Sequence, residues 1–321
     1  MVMVNTATAS RSLPSTVSQQ PPRVPSGTVI DHEALLARAS HPISTLPRPF
    51  LKWAGSKRSL LTQIVPYLPG SYLTYHEPFL GGGSMFFLLE PVSASISDLC
   101  APLIATYQAV GNGPREVRSA LVRLKVDKES YYRIRSSRPR KPHTRAARFV
   151  YLNKTCWNGL YRENLKGDFN VPFGRPKSRN TCTLELLAAC GLLIARPGVT
   201  VRHADFETVL DQASPGDLVF LDPPYATTAP RRSTFLEYNG TIFSWNDQVR
   251  LAAMANALAD RGCSVLVTNA SAPEIAALYS AFDSVDLLRS STISTKVKER
   301  GLASEVLFYS HALAFETGPS T

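Results

Sequence analysis

Short apolar runs bounded by glycine, proline and polar residues alternate with segments in which apolar residues recur every three or four positions. The first pattern is typical of buried strands and the second of amphipathic helices. The predicted strands are 72–76, 94–97, 199–203, 217–221, 263–268 and 304–309. The predicted helices are 31–39, 57–68, 85–89 and 247–259. Strands that alternate with helices predict an α/β fold built from βαβ units.

The composition excludes some classes of protein. Of the 321 residues, 44% are hydrophobic and 19% are charged, and no apolar stretch approaches the roughly 18 residues that a membrane span needs. The five cysteines are scattered without a C-x-x-C pair, and an odd number suits a reducing compartment better than a disulfide framework. We therefore expect a cytoplasmic protein without a membrane span or a metal site.

Positive charge is concentrated in the middle of the chain. The net charge is +10, and residues 115–180 contain 18 Lys and Arg but only 5 Asp and Glu, which gives this segment +13 and leaves −3 for the rest. Such a segment suits a polyanion, although a merely solvated basic face would have the same composition. We predict a disordered tail over 1–45, an α/β domain formed by 46–105 plus 191–315, and an inserted basic domain over 106–190.

A glycine-rich turn follows the predicted strand 72–76. Phe79-Leu80-Gly81-Gly82-Gly83 lacks the third glycine of the G-x-G-x-x-G dinucleotide pattern. Glycines between a strand and a helix let a ligand approach the backbone, and Asp98, at the end of the next strand, is placed to accept hydrogen bonds from a ribose. The turn favours a nucleoside cofactor without a pyrophosphate over the alternative, a tight packing turn with no ligand.

A second motif, Asp222-Pro223-Pro224-Tyr225, follows an apolar strand, at the edge where open α/β sheets bind ligands. The two prolines remove backbone donors and stiffen the loop, so the Asp222 carboxylate and a fixed carbonyl offer two acceptors beside an aromatic ring. Two acceptors suit an amino group on a planar ring, because they polarise its hydrogens and make its nitrogen a better nucleophile. A proline-rich turn that only ends the strand is the alternative.

The order of these motifs resembles the Dam family, the alpha group or D12 class of DNA adenine-N6 methyltransferases, over about residues 49–310. The stretches that carry the resemblance are FLKWAGSK (50–57), EPFLGGGS (77–84), NGLYREN (158–164), GDFNVPFG (167–174) and DPPY (222–225). It implies a Rossmann-like S-adenosylmethionine-dependent methyltransferase domain with an inserted, mostly helical target-recognition domain. It also implies base flipping and direct in-line methyl transfer to N6 of adenine in double-stranded DNA.

The resemblance assigns roles to individual residues. The implied catalytic residues are Asp222, Pro223, Pro224 and Tyr225, with Asp222 and the Pro223 carbonyl receiving the target amino group and Tyr225 stacking on the adenine. The implied contacts to S-adenosylmethionine are Trp53, Lys57, Phe79, Gly81, Gly83, Asp98, Asp205, Phe206 and Asp222. Phe79 and Phe206 resemble aromatic residues that enclose the cofactor adenine. Ser56 stands where the family has a second glycine. No metal is implied.

The inserted domain would read the DNA sequence. The implied DNA contacts are Trp157, Asn158, Leu160, Arg162, Asn164, Pro172 and Arg300. Arg162 resembles a reader of guanine, and a bidentate arginine–guanine contact discriminates by about 1–3 kcal/mol. The match suggests GATC as the target, and the cations between 133 and 148 are candidate phosphate contacts. We expect a monomer, associated with the nucleoid through DNA, and a cognate restriction enzyme acting on the same site stays open.

Three alternatives remain at this point. A cytosine-N4 methyltransferase uses similar chemistry but more commonly has serine in place of Asp222. A glutamine or RNA methyltransferase would leave the Arg162 motif unexplained. A non-catalytic DNA-binding homologue would bind DNA tightly without turnover, which the intact motifs at 52–57 and 222–225 argue against.

Overall fold

The computed structural model describes residues 27–41, 46–164, 166–178, 181–225, 243–289 and 303–310. Its strands are β1 Thr28–Val29, β2 Ser71–Tyr72, β3 Tyr75–Glu77, β4 Ala94–Asp98, β5 Val199–His203, β6 Leu218–Leu221, β7 Ser264–Ala270, β8 Asp283–Arg289 and β9 Ala303–Tyr309. Seven of them form one sheet in the order β5-β4-β3-β6-β7-β9-β8, and β1 pairs with β2 in a separate antiparallel ribbon. In the sheet, β3 to β7 are parallel, and β9 runs antiparallel between β7 and β8.

Helices cover the sheet and form the inserted domain. They are α1 His32–Ser40, α2 Leu61–Ile64, α3 Ser84–Leu89, α4 Ala101–Asn112, α5 Pro114–Leu121, α6 Lys128–Ser136, α7 Pro142–Thr155, α8 Leu184–Ile194, α9 Trp245–Asp260 and α10 Pro273–Leu278. Short 3-10 turns occur at Lys57–Ser59, Val65–Tyr67, Trp157–Gly159 and Phe206–Asp211. In the described part of the chain, none of these helices has the length and apolarity to cross a bilayer. The predicted α/β fold is confirmed.

Two apolar clusters lie on opposite faces of the sheet. Successive side chains of a strand point to opposite faces, and along β6 the residues Leu218 and Phe220 join one cluster while Val219 and Leu221 join the other. The strand reads as a continuous apolar run because both of its faces are buried. This burial fixes the register of β6, and with it the position of the residues that follow Leu221.

The strand order reverses between β3 and β6. From β3 the chain proceeds through β4 to β5 in one direction, and from β6 it proceeds to β7 in the other. At such a point the connections leave in opposite directions and open a crevice outside the carboxyl ends of the strands, where α/β proteins bind ligands. The residues after Glu77 and those after Leu221 therefore meet at the same crevice.

The connection between β4 and β5 contains α4 to α8. Helix α7 is the central element of this insert, with most of its length buried against α4 and α5. Helices α4 and α8, at the two ends of the insert, also contact β5. The predicted boundary at residue 106 thus falls inside α4, which belongs to the sheet and to the insert alike.

Some elements differ from the predictions. The helix predicted over 57–68 is a 3-10 turn, the short α2 and a second 3-10 turn, because Pro66 has no amide hydrogen to continue a helix. The strand predicted over 72–76 is divided into β2 and β3, which pair with different partners. Strand β8 was not predicted, although Val285 and Leu287 show the alternation of a half-buried strand.

Part of the predicted disordered tail is folded. Helix α1 begins after Asp31, whose side chain accepts a hydrogen bond from the Ala34 amide at 2.9 Å, and it buries Leu35. Arg38 forms an ion pair with Glu90, beside α3. The helix predicted over 31–39 is present as α1, and the prediction of disorder up to residue 45 is wrong for 27–41, because α1 packs against α2 and α3. Residues 1–26 lie outside the described part of the chain.

We expect Leu35→Ala to lower the free energy of unfolding by about 2–5 kcal/mol, as for other buried leucines, because α1 packs against α2 and α3. Chemical denaturation followed by circular dichroism measures this change. Glu33→Ala, at an exposed position of the same helix, should stay within about 0.5 kcal/mol of the wild type. Equal stability of the two variants would show that α1 contributes nothing to the fold.

Candidate active site and DNA-recognition hairpin

A buried ion pair forms the centre of the crevice. The Lys57 ammonium, whose side chain is 3% exposed, contacts the Asp222 carboxylate directly, and Asp222 is 18% exposed. Lys57 also donates to the Gly55 carbonyl at 2.9 Å, and its Nζ lies 3.6 Å from Oε2 of Glu305. Burial raises the pKa of Asp222, while the contact with Lys57 lowers it and offsets part of that effect. The FLKWAGSK stretch (50–57) and the DPPY motif therefore meet through opposite charges.

The Asp222 carboxylate is held by one of its two oxygens. Thr268, on β7, donates to Oδ1 at 2.9 Å, and Lys57 contacts the same atom. Within the described residues, no hydrogen bond engages Oδ2. One oxygen thus fixes the orientation of the carboxylate while the other presents an acceptor in the crevice.

Tyr225 lies on the other side of Lys57. The ammonium is 4.8 Å from the centroid of the Tyr225 ring, and the Tyr225 hydroxyl donates to Oε2 of Glu305 at 2.5 Å. Glu305 belongs to β9, the antiparallel strand, so residues from β7 and β9 help to position the DPPY motif.

The carbonyl groups of the two prolines have different environments. The Pro224 carbonyl accepts from Nε2 of Gln248 at 3.4 Å, and Gln248 accepts in turn from Asn269 at 3.0 Å. For the Pro223 carbonyl, the described residues provide no hydrogen-bond donor. The Pro223 carbonyl oxygen and Oδ2 of Asp222 are therefore two hydrogen-bond acceptors on adjacent residues.

The glycine turn needs its glycines for two reasons. Gly81 and Gly83 have φ angles of +46° and +66°, which disfavour other residues. A Cβ atom on Gly81 would lie 2.7 Å from Cδ1 of Trp53, and one on Gly83 would lie 2.9 Å from the Tyr107 hydroxyl. The turn is thus pressed against the Trp53 indole and brings the backbone close to any ligand in the crevice.

Asp98, at the end of β4, braces this turn. Its Oδ2 accepts from the Gly81 amide at 2.9 Å and its Oδ1 from the Cys100 amide at 2.8 Å. Burial raises the pKa of Asp98, although both backbone hydrogen bonds lower it. Each carboxylate oxygen has a second lone pair, so Asp98 can still accept from a ribose hydroxyl.

Phe79 and Phe206 are brought together at the far side of the turn. Their ring centroids are 5.4 Å apart with an angle of 25°, which is direct stacking and leaves no space for a third ring between them. Asp205 caps the 3-10 turn that Phe206 begins. Arg250 of α9 lies 4.9 Å from the Phe206 ring and forms ion pairs with Asp205 and Glu207. Sequence motifs gave no indication of Arg250.

Residues 161–164 and 166–170, here called the recognition hairpin, carry two of the predicted DNA contacts. The Asn170 amide donates to the Arg162 carbonyl at 3.0 Å and the Asn164 amide to the Asp168 carbonyl at 2.9 Å. Arg162 Nε also donates to Oδ1 of Asn170 at 2.7 Å, which orients the guanidinium group. Arg162 and Asn164 are both exposed, on the same face of the hairpin.

The remaining predicted DNA contacts surround the turn before the hairpin. Trp157 is 49% exposed, Asn158 adopts a left-handed conformation with φ of 54°, and the Trp157 amide donates to the Pro172 carbonyl at 2.9 Å. Leu160 is half-buried, against the core. Arg300 lies outside the described residues.

Comparison with known proteins identifies the family. A model of the D12 class of N6 adenine-specific DNA methyltransferases matches residues 53–293, which is more than half of the chain. The chain belongs to this family. It is an adenine-specific DNA methyltransferase.

Relatives in several organisms match more than two thirds of the chain. A Type II methyltransferase, M1.LlaDCHI of Lactococcus lactis subsp. cremoris, is 35% identical over 268 residues, covering 81% of this chain and 94% of that protein. The Type II methyltransferase M.MjaIII of Methanocaldococcus jannaschii is 35% identical over 245 residues, with 69% and 84% covered. The DNA adenine methylase of Escherichia coli K12 is 36% identical over 229 residues, with 69% and 80% covered.

Glu77 is an ionisable residue of the methyltransferase site that the motif analysis did not single out. It is 2% exposed and accepts hydrogen bonds from the Tyr75 hydroxyl at 2.8 Å and the Phe86 amide at 3.2 Å. Burial, reinforced by the charge of Asp222, raises the pKa of Glu77 to about 8, although these hydrogen bonds lower it. Glu77 is therefore mainly protonated at neutral pH, when Asp222 is paired with Lys57.

This shift predicts a pH-dependent stability. Between pH 4.5, the ordinary pKa, and about 8, the folded chain keeps a proton on Glu77 that the unfolded chain has released. The free energy of unfolding therefore falls as pH rises through this window, by about 1.4 kcal/mol per pH unit from this group. We expect Glu77→Gln to remove most of that decline in denaturant titrations at pH 5 and 8. Glu129→Gln, at an exposed site, should preserve it; an unchanged slope in Glu77→Gln would mean that Glu77 is ionised throughout.

Proposed function

We propose that this enzyme transfers a methyl group from S-adenosylmethionine to N6 of adenine in double-stranded DNA, at GATC sites. The observation that carries the proposal is the Asp222–Tyr225 motif, held at the sheet crevice by Lys57, Thr268 and Glu305. When bound, S-adenosylmethionine supplies an electrophilic methyl group on sulfur, which the adenine amino nitrogen attacks in line.

The glycine turn supports this cofactor. Gly81 and Gly83 keep side chains away from the crevice, and Asp98 offers acceptors for a ribose. Trp53 and Lys57, both in the FLKWAGSK stretch (50–57), would contact the cofactor. Asp205 and the Phe79–Phe206 pair would bind its adenine, which must stack beside the pair or part the two rings.

The charges of the site favour a cation. The site brings two carboxyl groups, of Asp222 and Glu305, against the single ammonium of Lys57, a formal excess of one negative charge. A low-dielectric crevice with this charge attracts a positive sulfonium more than the neutral thioether that remains after transfer. The same groups therefore favour binding of the methyl donor and release of its product.

Asp222 and Pro223 would activate the target amino group. Oδ2 of Asp222 and the Pro223 carbonyl oxygen can each accept a hydrogen bond from one N–H of the amino group. These two hydrogen bonds localise the nitrogen lone pair, which then points toward the methyl group. The Tyr225 ring would stack on the adenine. Because the amino group lies inside the duplex stack, the base must be flipped into the crevice, at a cost of a few kcal/mol that phosphate contacts by the basic insert offset.

The reaction, the base and the site can be tested together by single-molecule sequencing of DNA from a host that lacks adenine methylation. We expect N6-methyladenine confined to GATC with the wild type, and a rate at least two orders of magnitude lower for Asp222→Ala in vitro, because an acceptor for the amino group is lost. Asp260→Ala, at an exposed position of α9, is the matched control.

Asp222→Ala also leaves the buried Lys57 ammonium with a weaker set of partners, so its folding must be verified by thermal unfolding. Asp222→Asn keeps the shape and one acceptor, and should retain an intermediate rate. Normal turnover by the alanine variant would contradict the mechanism. Methylated adenine in another sequence would support the proposed reaction but contradict GATC as its site. N4-methylcytosine would contradict adenine as the target base.

The role of Arg162 can be separated from general DNA affinity. We expect Arg162→Ala to relax discrimination at one base pair by about 1–3 kcal/mol in competition assays with singly substituted sites, because a bidentate guanine contact is lost. Arg133→Ala, which removes an exposed cation of α6, should weaken binding to all sequences alike. If both variants keep the wild-type order of preferences, Arg162 does not read a base.

A further inference from the structure

Tyr161 lies where the cofactor side of the enzyme meets the recognition hairpin. Its ring stacks on the Trp53 indole, with centroids 5.8 Å apart and an angle of 22°. The same indole covers the glycine turn, where a Cβ on Gly81 would come within 2.7 Å of it. Trp53 is thus in contact with the turn on one side and with Tyr161 on the other.

A second set of contacts links Tyr161 to the cofactor side. The Cys100 side chain lies near the Tyr161 hydroxyl, and the Cys100 amide donates to the Asp98 carboxylate at 2.8 Å. The hydroxyl also donates to Glu163, two residues along the hairpin. Tyr161 therefore reaches both residues proposed to flank the cofactor, Trp53 by its ring and Asp98 through Cys100.

Tyr161 lies on the face of the hairpin opposite to the predicted DNA contacts. Successive residues of an extended segment point to opposite faces. Tyr161 and Glu163 are half-buried toward the domain, while Arg162 and Asn164 are exposed on the opposite face. Since the hairpin is held by backbone hydrogen bonds, a displacement of the Tyr161 ring also displaces the backbone that carries Arg162.

The hairpin rests on aromatic rings and has space beside it. Tyr161 also contacts Phe149 of α7, at 5.3 Å between centroids, and Phe169 across the hairpin, at 5.7 Å. A cleft of about 260 Å³ opens between these rings, α4 and residues 137–139. Open space therefore separates this side of the hairpin from α4.

We propose that Tyr161 is a positioning residue whose ring, stacked on Trp53, transmits occupation of the cofactor site to the orientation of Arg162 and Asn164. A cofactor that fixes Trp53 also orders Tyr161 and the hairpin. DNA then binds to a hairpin that is already ordered, so DNA binding loses less conformational entropy than it would without the cofactor. By linkage, DNA must then strengthen cofactor binding by the same factor. This inference rests on the proposed function.

The coupling can be measured directly. A labelled duplex of about 20 base pairs with one GATC is titrated with the full chain, with and without saturating S-adenosylhomocysteine, and fluorescence anisotropy gives the ratio of the two dissociation constants. We expect a ratio of about 5 or more for the wild type, within the usual range of coupling between sites. Tyr161→Leu should reduce the ratio to less than 2. Tyr161→Phe, which keeps the ring, should restore it.

The controls separate coupling from folding and from affinity. Tyr132→Leu removes a tyrosine of α6 that contacts Tyr131 and Arg135 but lies outside the Trp53 stack, and should keep the wild-type ratio. Thermal unfolding checks each variant, and Tyr161→Met, which fills most of the volume without a ring, replaces the leucine variant if that one does not fold.

Two results would overturn the inference: a wild-type ratio in Tyr161→Leu, or a loss in Tyr161→Phe as large as in Tyr161→Leu. Sequencing of methylated DNA distinguishes these failures from failure of the proposed function. Adenine methylation by the wild type together with uncoupled binding would contradict only the role of Tyr161. A wild type that neither methylates adenine nor binds S-adenosylhomocysteine would contradict the function itself.

Discussion

The contact between Lys57 and Asp222 is the interaction on which the arrangement of the site depends. It joins a turn before the sheet to the end of β6, and Thr268 of β7 and Glu305 of β9 complete the same cluster. Withdrawing two charges from water costs several kcal/mol per ion, and hydrophobic residues of the same volume would be as good for stability. The pair is therefore better explained by what it holds in place, a carboxylate oriented by one oxygen at the crevice between β3 and β6.

The sequence predicted this cluster only in part, for a physical reason. Asp222 follows an apolar run that is buried on both faces, so its place at the sheet edge could be inferred from local pattern alone. Thr268 and Glu305 reach the site because of strand order and register, and these depend on contacts between segments far apart in the chain. A polar residue inside an apolar strand is visible in the sequence, but the partner it meets is not.

The same difference between local pattern and long-range contact applies to helix α1 and to the insert. Helix α1 was predicted over 31–39, but its attachment to the fold was not, because the burial of its few apolar residues comes from packing against α2 and α3 rather than from helix propensity. The positive charge of the insert is visible in the sequence. The sequence does not show which of its cations are exposed on the hairpin and which pack against α7. Arg148, for example, lies in the basic run and donates to the Ile134 carbonyl, so its charge supports the insert from within.

The outward and inward residues of the recognition hairpin are difficult to change independently of each other. An extended segment has two faces, and a change of one residue in register would exchange them. With Arg162 and Asn164 turned outward, Tyr161 faces inward against Trp53 and Phe149 of α7. Any change that alters the hairpin backbone therefore also alters the surface that packs against Trp53. Conversely, if the proposed coupling holds, a ligand that fixes the turn and Trp53 also limits the positions open to Arg162.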